Sequence, residues 1–467
     1  MKKLITSLLV LVIVMTCGVA LLASCEKVDY DHTIVFYSTQ NDDLQKLTAT
    51  VIKTFEDKFP GWKVDHQQPG GYDEVRKKIV QDLQGQSQPD LAYCYPDHVA
   101  LYMPTQKVVD LSTMMTSTEV IKGGENGDKE YTLGMTAEQI ADFIPSYYEE
   151  GKATMFSNYE TYGYNENSML TLPFVKSTEL LFYNKDALDA CGLQPAKTWD
   201  ELWEQAPILK KKFPTATVLG YDSESNWFIT ESERQGWGYT STDNDKHYLF
   251  SNDKAAAWLD TLQDKAKLGY VTTQTIYGSY TSNLFKKGVN DNAGGAVYCI
   301  GSSGGAKNQA TTAFNWGVSA LPGSKLEDGT ISNKVISQGP SLVMLKNDQA
   351  SDPDAKAKMT FMFMKELYDA AYQASVAKLQ GYNPCIQSAI DLPAYQEFLD
   401  NDSEITAISA KIATSITDQY FTSPAFIGSS EARAQVGNVI VFVLKQEKDG
   451  AKALRDALKN CGGNNVN

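Results

Sequence analysis

The sequence predicts an α/β fold, and three of its features indicate this class. Residues 33–94 alternate strand-like apolar runs with helical stripes in the order β-α-β-α-β, which is typical of a parallel sheet covered by helices. Residues 179–183 (ELLFY) form a short apolar and aromatic run, as expected of a strand buried on both faces. Residues 296–300 form another strand, after a clear helical pattern at 254–268. Because ligands of such sheets bind beyond the carboxyl ends of the strands, the loops that follow them are candidates for a binding site.

The N-terminal residues are typical of a secreted, lipid-modified protein. Two lysines precede an apolar run at 4–23, which is long enough to span a bilayer and also has the pattern of a secretory signal peptide. The Leu-Ala-Ser-Cys sequence that ends at Cys25 resembles a bacterial lipobox, in which cleavage leaves a lipid-bearing cysteine. An uncleaved membrane helix is the alternative, which the lack of a second apolar span disfavours. We therefore expect a signal peptide at 1–24, a linker at 25–32, and an extracytoplasmic protein anchored to the cell membrane through Cys25.

Composition and charge exclude several classes of partner. The chain of 467 residues has a net charge of −15, which becomes −17 once Lys2 and Lys3 leave with the signal peptide. Such an acidic surface argues against binding to nucleic acid or to an anionic membrane. Besides Cys17 and Cys25, five cysteines remain, an odd number without CxxC spacing, so neither a disulfide framework nor a zinc site is expected. The four histidines show no metal-ligand spacing, and we expect no metal and no cofactor.

The segment at 171–203 predicts a strand followed by two helices. Asn184 ends the ELLFY strand and can cap the next helix, and Gly192 stands where a left-handed residue would end that helix. Thr198 and Glu201 then have the spacing of a capping box, in which each side chain accepts a hydrogen bond from the other residue's backbone amide. Three lysines complement the negative end of the second helix, and Pro214 ends it.

The same segment carries short motifs in a fixed order: a strand ending in Tyr-Asn-Lys-Asp, a short helix ending in Gly, and Lys-Thr-Trp-Asp-Glu-Leu. In these motifs the chain resembles the extracellular solute-binding proteins of ABC importers, in particular the branch that binds carbohydrates and sn-glycerol 3-phosphate. The resemblance implies two α/β lobes with a ligand cleft between them, joined by hinge crossings near Leu172, near Gly301 and within a helix at 353–369. The domain assignment that it implies is 33–172 with 301–364 for lobe 1, and 173–300 with 365–467 for lobe 2.

Motifs elsewhere in the chain resemble the ligand contacts of this family, in the family's order. The resemblance implies a ligand site made of Tyr72, Asp97, Ser177, Trp227, Ser302, Ser303, Gly339, Tyr382 and Arg433. These residue types suit a polyol or a phosphate. A carboxylate accepts hydrogen bonds from hydroxyls, aromatic rings offer flat faces to C–H surfaces, and a guanidinium engages phosphate with two parallel bonds. The glycines around the two adjacent serines can also present backbone N–H groups to an anion.

The same serines match a catalytic motif. Residues 301–305 (GSSGG) follow a predicted strand and fit G-x-S-x-G, the nucleophile elbow of α/β-hydrolases. That fold needs a histidine after the serine, whereas all four histidines precede Ser303, the last of them being His247. A secreted serine hydrolase is therefore kept only as an alternative, beside a surface adhesin, for which exposed repeats or long β segments would be expected.

We therefore expect a lipid-anchored, monomeric substrate-binding protein of an ABC transporter, with no catalytic residues. It would capture a carbohydrate or a glycerol-phosphate-type polyol by cleft closure and deliver it to the permease subunits. The sequence leaves the ligand open between a neutral oligosaccharide and a glycerol phosphate or diester. Residues 113–168 are polar and Tyr-rich and break the α/β rhythm, so we expect them to form an insertion longer than the family norm.

Overall fold

The N-terminal β-α-β-α-β segment forms most of the first of two five-stranded sheets. The structure is a computed structural model that describes residues 29–290 and 294–462. Strand Thr33–Tyr37 pairs in parallel with Lys63–Gln67 on one side and with Leu91–Cys94 on the other. Ser341–Met344 and then Leu172–Pro173 complete the sheet as antiparallel strands. The parallel pairing confirms the prediction for residues 33–94.

Two long helices cover this sheet because each presents an apolar stripe to it. Asp42–Lys58 begins after Asn41, whose side chain accepts a hydrogen bond from a backbone N–H of the first turn at 3.0 Å. Pro353–Glu366 buries its Met-Phe stripe. Phe55 and Phe363, one from each helix, meet edge to face with ring centroids 5.5 Å apart. This half of the chain also has helices at Tyr72–Gly85, Pro96–Tyr102 and Leu111–Met115.

Five further strands form the second sheet, in the order Val271–Thr273, Thr217–Tyr221, Ala296–Ser302, Glu179–Asn184 and Trp316–Ala320. The strand that contains ELLFY is antiparallel to both neighbours and almost fully buried, as its composition predicts. The strand at 316–320 belongs to this sheet, whereas the expected domain assignment puts all of 301–364 in lobe 1. The reason is a close fit: a Cβ atom on Gly317 would lie 2.2 Å from the ring of Tyr183, so glycine lets this strand pair here.

Helices on the second sheet follow the predicted order. Those that follow its strands are Lys185–Asp189, Trp199–Lys212, Glu224–Gln235, Asp253–Lys267, Gln274–Tyr277 and Thr281–Phe285. Thr198 caps its helix by accepting a hydrogen bond from the backbone N–H of Glu201 at 3.2 Å. The carboxylate of Glu201 accepts a hydrogen bond at 2.7 Å from the backbone N–H of Lys197, and not from that of Thr198 as predicted. Only half of the predicted capping box therefore forms.

Short strands connect the two sheets. Val175–Lys176 pairs with Asn383–Pro384, and Val335–Ile336 pairs with Tyr420–Phe421. Ser324–Lys325 and Ile331–Ser332, two residues each, pair as the antiparallel strands of a further hairpin. The chain therefore passes between the sheets several times, as expected of a two-lobed fold.

A buried polar cluster holds these connections together. Lys176 forms an ion pair with Glu150 and donates a hydrogen bond to Ser341 Oγ at 3.0 Å. Glu150 also accepts a hydrogen bond from Thr422 Oγ1 at 2.7 Å. We call Glu150, Lys176, Ser341 and Thr422 the hinge cluster. It joins four separate segments of the chain, and one of them belongs to the 113–168 insertion.

The insertion and the C-terminal part complete the fold. The insertion has an antiparallel hairpin, Val120–Gly123 with Lys129–Thr132, and short helices at Ala137–Ala141 and Pro145–Tyr148. C-terminal helices lie at Ala370–Gln380, Gln387–Ile390, Pro393–Leu399, Ile405–Ser415, Ser429–Leu444 and Gly450–Asn460. Within 29–290 and 294–462, no helix is both long and apolar enough to cross a membrane. The expected signal peptide at 1–24 and Cys25 lie outside the described residues.

Candidate ligand-binding site

A cavity of about 680 Å³ lies between the two halves of the protein, and both contribute to its walls. On one side are residues from the loops and helix starts that follow strands of the first sheet. On the other side are residues of helix Ser429–Leu444, called the cleft helix from here on, and the start of helix Glu224–Gln235. Of the nine predicted ligand residues, three line this cavity: Tyr72, Asp97 and Arg433.

Asp97 lies where a parallel strand ends. It is in the first turn of helix Pro96–Tyr102, directly after strand Leu91–Cys94, which is the edge of the sheet where ligands are expected. Its Oδ2 accepts a hydrogen bond from Ser430 Oγ at 2.8 Å. Because Ser430 belongs to the cleft helix, this bond connects the two walls of the cavity. The carboxylate of Asp97 can also accept hydrogen bonds from the hydroxyl groups of a ligand.

Arg433 projects from the second turn of the cleft helix. One of its terminal nitrogens donates a hydrogen bond to the side-chain oxygen of Asn226. The amide nitrogen of Asn226 donates in turn to Glu179 Oε1 at 3.1 Å. The guanidinium is therefore held by a chain of two buried side chains while it still lines the cavity. Its planar set of five donors keeps the capacity to bind an anionic group.

Aromatic rings form part of the first wall. The rings of Tyr72 and Tyr95 lie 4.7 Å apart between centroids and are tilted by 47°. Tyr382 lies beside them: burial raises its pKa, and a hydrogen bond with Tyr72 opposes that rise. Its ring also packs on Gly304, where a Cβ atom would lie 2.6 Å from the Tyr382 Cε1 atom. Tyr382 therefore connects the cavity wall with the serine turn, although it is not itself one of the lining residues.

The serine turn lies next to the cavity and differs from the predicted anion site. Ser302 Oγ donates a hydrogen bond to Ser177 Oγ at 3.2 Å and accepts one from the backbone N–H of Gly304 at 3.3 Å. Ser303 is 0% exposed. Its Oγ accepts a hydrogen bond from the N–H of Thr178 at 3.3 Å, and its own N–H donates to the Thr178 carbonyl at 2.8 Å. The N–H and the Oγ of Ser303 are therefore both engaged with Thr178 on the neighbouring crossing segment, away from the cavity lining.

Trp227 does not form the predicted aromatic wall. It is 1% exposed and lies in a stack of rings, 4.7 Å from Tyr221 and 5.4 Å from Trp199 between centroids. The helix that carries it is buried without a break from Asn226 to Ser232, so its indole belongs to the core. Beside the predicted Tyr72, the aromatic faces of the cavity come from Tyr95 and Tyr239, which the sequence analysis missed. The signal for Tyr95 was its position directly after a buried strand.

Gly339 acts through its backbone. Its φ is +89°, and a Cβ atom would lie 2.3 Å from the carbonyl oxygen of Val175. This close approach fixes the turn at a crossing between the lobes. Burial raises the pKa of Tyr95, and a hydrogen bond with the backbone of Gly339 is among the contacts that oppose the rise.

The cavity walls carry more acidic than basic side chains. The carboxylates are Asp73, Asp97, Glu224 and Glu431, and the guanidinium groups are Arg76 and Arg433. Burial lowers the pKa of His98, which therefore adds no positive charge at neutral pH. The Nε atom of Arg76 is buried without a hydrogen-bond partner among the described residues, while a terminal nitrogen of the same guanidinium pairs with Asp73 at 3.4 Å. Sequence reasoning missed Arg76, which carries no motif of its own.

The geometry also bears on the catalytic alternative. The Oγ of Ser303 is buried and hydrogen-bonded, and the following residues form a short 3₁₀ segment, Ser303–Gln309, instead of the α-helix that follows a nucleophile elbow. In the part of the chain that the structure describes, no group of three or more His, Cys, Asp or Glu side chains could hold a metal ion. The cavity combines aromatic faces, a carboxylate that can accept hydrogen bonds from hydroxyls, and the Arg433 guanidinium held in place by Asn226.

Comparisons with known proteins agree with this geometry. Residues 50–406 match the family model of the bacterial extracellular solute-binding proteins. The sn-glycerol-3-phosphate-binding periplasmic protein UgpB of Escherichia coli is 24% identical over 405 residues, which cover 82% of this chain and 81% of that protein.

Solved structures of similar fold cover 92% of this chain. UgpB from Mycobacterium tuberculosis in complex with glycerophosphocholine has a TM-score of 0.70 at 18% identity, and 97% of it is covered. The GacH receptor of Streptomyces glaucescens has a TM-score of 0.67 at 17% identity, and 98% of it is covered. Because the family model spans well over half of its length, this chain belongs to the bacterial extracellular solute-binding protein family.

Proposed function

We propose that this protein captures a carbohydrate or a phosphorylated polyol in the cavity between its lobes and delivers it to the permease of an ABC importer. The observation that carries this proposal is the lining of the cavity. Aromatic faces, a hydroxyl-binding carboxylate and a guanidinium meet there from both sides. The relatives add support, since one is named for sn-glycerol 3-phosphate and the solved structures include complexes with glycerophosphocholine and with maltose.

Closure of the two lobes on the ligand is the proposed mechanism. A ligand that contacts both walls stabilises the closed arrangement over the open one by its difference in affinity for the two. Asp97 and Ser430 already meet across the cavity at 2.8 Å, so the arrangement described here is one in which the walls are close. We propose the same lobe boundaries, 33–172 with 301–364 and 173–300 with 365–467, but assign the strand at 316–320 to the second lobe because it pairs within the second sheet.

Arg433 is the residue that decides between an anionic and a neutral ligand. Arg433→Ala should abolish binding of sn-glycerol 3-phosphate in calorimetry, because it removes a charge-assisted donor that contributes about 1.5–3 kcal/mol per bond. A neutral maltooligosaccharide should keep most of its affinity. Arg455→Ala, on an exposed face of the last helix, is the matched control and should change neither. If the wild type binds maltooligosaccharides and ignores phosphate esters, the ligand is neutral and the tyrosines carry the affinity.

A thermal-shift screen tests the binding function as a whole. A ligand of the cavity should stabilise the folded protein by RT ln(1 + [L]/Kd), about 2.7 kcal/mol at a hundredfold excess over Kd. We would screen oligosaccharides, glycerol phosphates and glycerol phosphodiesters. If no member of these classes raises the melting temperature, the proposed ligand class is wrong.

The proposal extends to location and assembly. A lipid on Cys25 would hold a monomeric binding protein at the outer face of the cell membrane, near its permease. Mass spectrometry of the membrane-extracted protein should show diacylglyceryl Cys25 as the first residue. An intact N-terminal Met1 would contradict lipid attachment there.

A further inference from the structure

A buried carboxyl group lies behind the arginine of the cavity. Glu179, the first residue of strand Glu179–Asn184, is 1% exposed. Its Oε1 accepts a hydrogen bond from Asn226 Nδ2 at 3.1 Å, and its Oε2 accepts one from the Tyr221 hydroxyl at 2.5 Å. A carboxylate is rarely buried without a cation in direct contact. The nearest cation that its partners contact is Arg433, one amide group away.

Asn226 connects the two charged groups, Glu179 and Arg433, by hydrogen bonds to both. It is 3% exposed, and its amide nitrogen faces Glu179 while its oxygen accepts from Arg433. The carboxylate fixes which way round the amide lies, since only the nitrogen of Asn226 can donate to it. The amide oxygen then points at the guanidinium. Glu179 therefore sets the position of Arg433 through Asn226, without touching the cavity itself.

Glu179 also changes charge near neutral pH. Burial raises its pKa to about 7, while the hydrogen bonds from Tyr221 and Asn226 and the charge of Arg433 oppose the rise. Asp222, next to Tyr221 in the chain, adds to the rise. The other charged groups on this side, Glu231 and Arg234, act on Tyr221 and form an ion pair with each other at 3.3 Å.

We propose that Glu179 is a positioning residue for Arg433, and that an anionic group binds at Arg433 together with uptake of one proton by Glu179. This inference rests on the proposed function and deepens it: it names a proton-linked preference of the same site. A neutral ligand binds without the proton. The proton comes from solvent and converts the Glu179 carboxylate to a carboxylic acid, and the phenol oxygen of Tyr221 can accept its hydrogen bond.

The direction of the pH effect follows from linkage. When Glu179 is ionised, its charge opposes an anion near Arg433; when it is protonated, the charge of Arg433 is unopposed. The affinity for an anion therefore falls as pH rises through the pKa of Glu179. With full coupling and a pKa of about 7, the affinity falls about tenfold between pH 6 and pH 8.

The test uses calorimetry of the full protein with sn-glycerol 3-phosphate at pH 6, 7 and 8, each in two buffers of different ionisation enthalpy. The two buffers report the number of protons taken up by the wild type. Glu179→Gln should bind the probe with no proton uptake beyond that of the phosphate itself. The wild-type to variant ratio of affinities should then fall about tenfold from pH 6 to pH 8. Glu233→Gln, on the exposed face of helix Glu224–Gln235, is the control and should behave as the wild type does.

Asn226→Ala distinguishes the positioning of Arg433 through the amide from the through-space effect of the Glu179 charge. It keeps Glu179 but removes the amide link, so the anion affinity should fall at every pH and the proton uptake should shrink. An affinity ratio that stays constant with pH overturns the proposal. Absence of proton uptake by the wild type at pH 8 beyond that of the phosphate itself also overturns it, and this result needs no variant to fold. If the wild type ignores sn-glycerol 3-phosphate at pH 6 but is stabilised by oligosaccharides, this inference fails and the proposed function stands. If neither probe class binds, the proposed function fails as well.

Discussion

The hinge cluster offers a sharp test of how this fold is held together. Lys176→Met should destabilise the protein by about 3–5 kcal/mol, because it leaves the charge of Glu150 buried without a cation. Methionine fills nearly the same volume as the lysine stem, so little of the loss comes from packing. The loss comes from one uncompensated carboxylate.

The structure shows why the remaining contacts cannot compensate. After the substitution, Glu150 keeps two neutral donors, Thr422 Oγ1 at 2.7 Å and Ser341 Oγ at 3.3 Å. A neutral hydrogen bond contributes only about 0.5–1.5 kcal/mol net. Desolvation of one ion costs several kcal/mol. Removing both charges in Lys176→Met with Glu150→Gln should therefore restore stability to within about 1.5 kcal/mol of the wild type.

Urea unfolding followed by tryptophan fluorescence measures these differences for the wild type, both single variants and the double variant. Lys254→Met is the matched control, since its ion pair with Glu327 at 2.9 Å has side chains that are 61% and 84% exposed. The control should change stability by less than about 0.5 kcal/mol. A cost below about 1 kcal/mol for Lys176→Met, or a double variant as unstable as the two single losses added together, would refute the reasoning.

Three further outcomes follow from the structure. Trp227→Ala should cost about 3–5 kcal/mol in stability, because it empties a core stack, whereas Trp227→Phe should leave ligand affinity in calorimetry unchanged. Gly339→Ala should lower the melting temperature far more than Gly329→Ala, since both have positive φ but only Gly339 lacks room for a Cβ atom. Burial raises the pKa of the Cys94 thiol far above its usual value. Cys94 should therefore resist iodoacetamide at pH 8 while the partly exposed Cys191 is alkylated, as read by mass spectrometry of the folded protein.

The order of elements could be predicted from sequence because local physics determines it. The ELLFY run is a buried strand by composition alone, and the apolar stripe of the helix before Pro60 points to one sheet face. The placement of strand 316–320 could not be predicted in this way. It depends on Gly317 fitting against Tyr183, a contact between segments far apart in the chain.

The candidate site was predictable where a residue follows a strand and unpredictable where it lies on a helix with several covered faces. Asp97 stands at the end of a parallel strand, so position alone makes it a candidate. Trp227 and Asn226 are adjacent on one helix, yet one belongs to a core stack and the other holds Arg433. Helical periodicity does not separate them, because this helix is buried all round over the stretch from Asn226 to Ser232. Glu179 was missed since a charged residue at the start of an apolar strand is usually its exposed end.

The hinge cluster also constrains how the cleft can open. Its four side chains come from segments that connect the sheets, and their polar groups satisfy one another in a buried place. A motion that separated them would expose half-satisfied charges in the interior at a cost of several kcal/mol. A rotation of one lobe about an axis that passes through the cluster leaves these contacts intact, so it is the opening motion that costs the least free energy. The Asp97–Ser430 bond across the cavity is a single part-buried hydrogen bond. If the lobes close on a ligand as proposed, we expect such a rotation to break this bond at low cost and a bridging ligand to take its place.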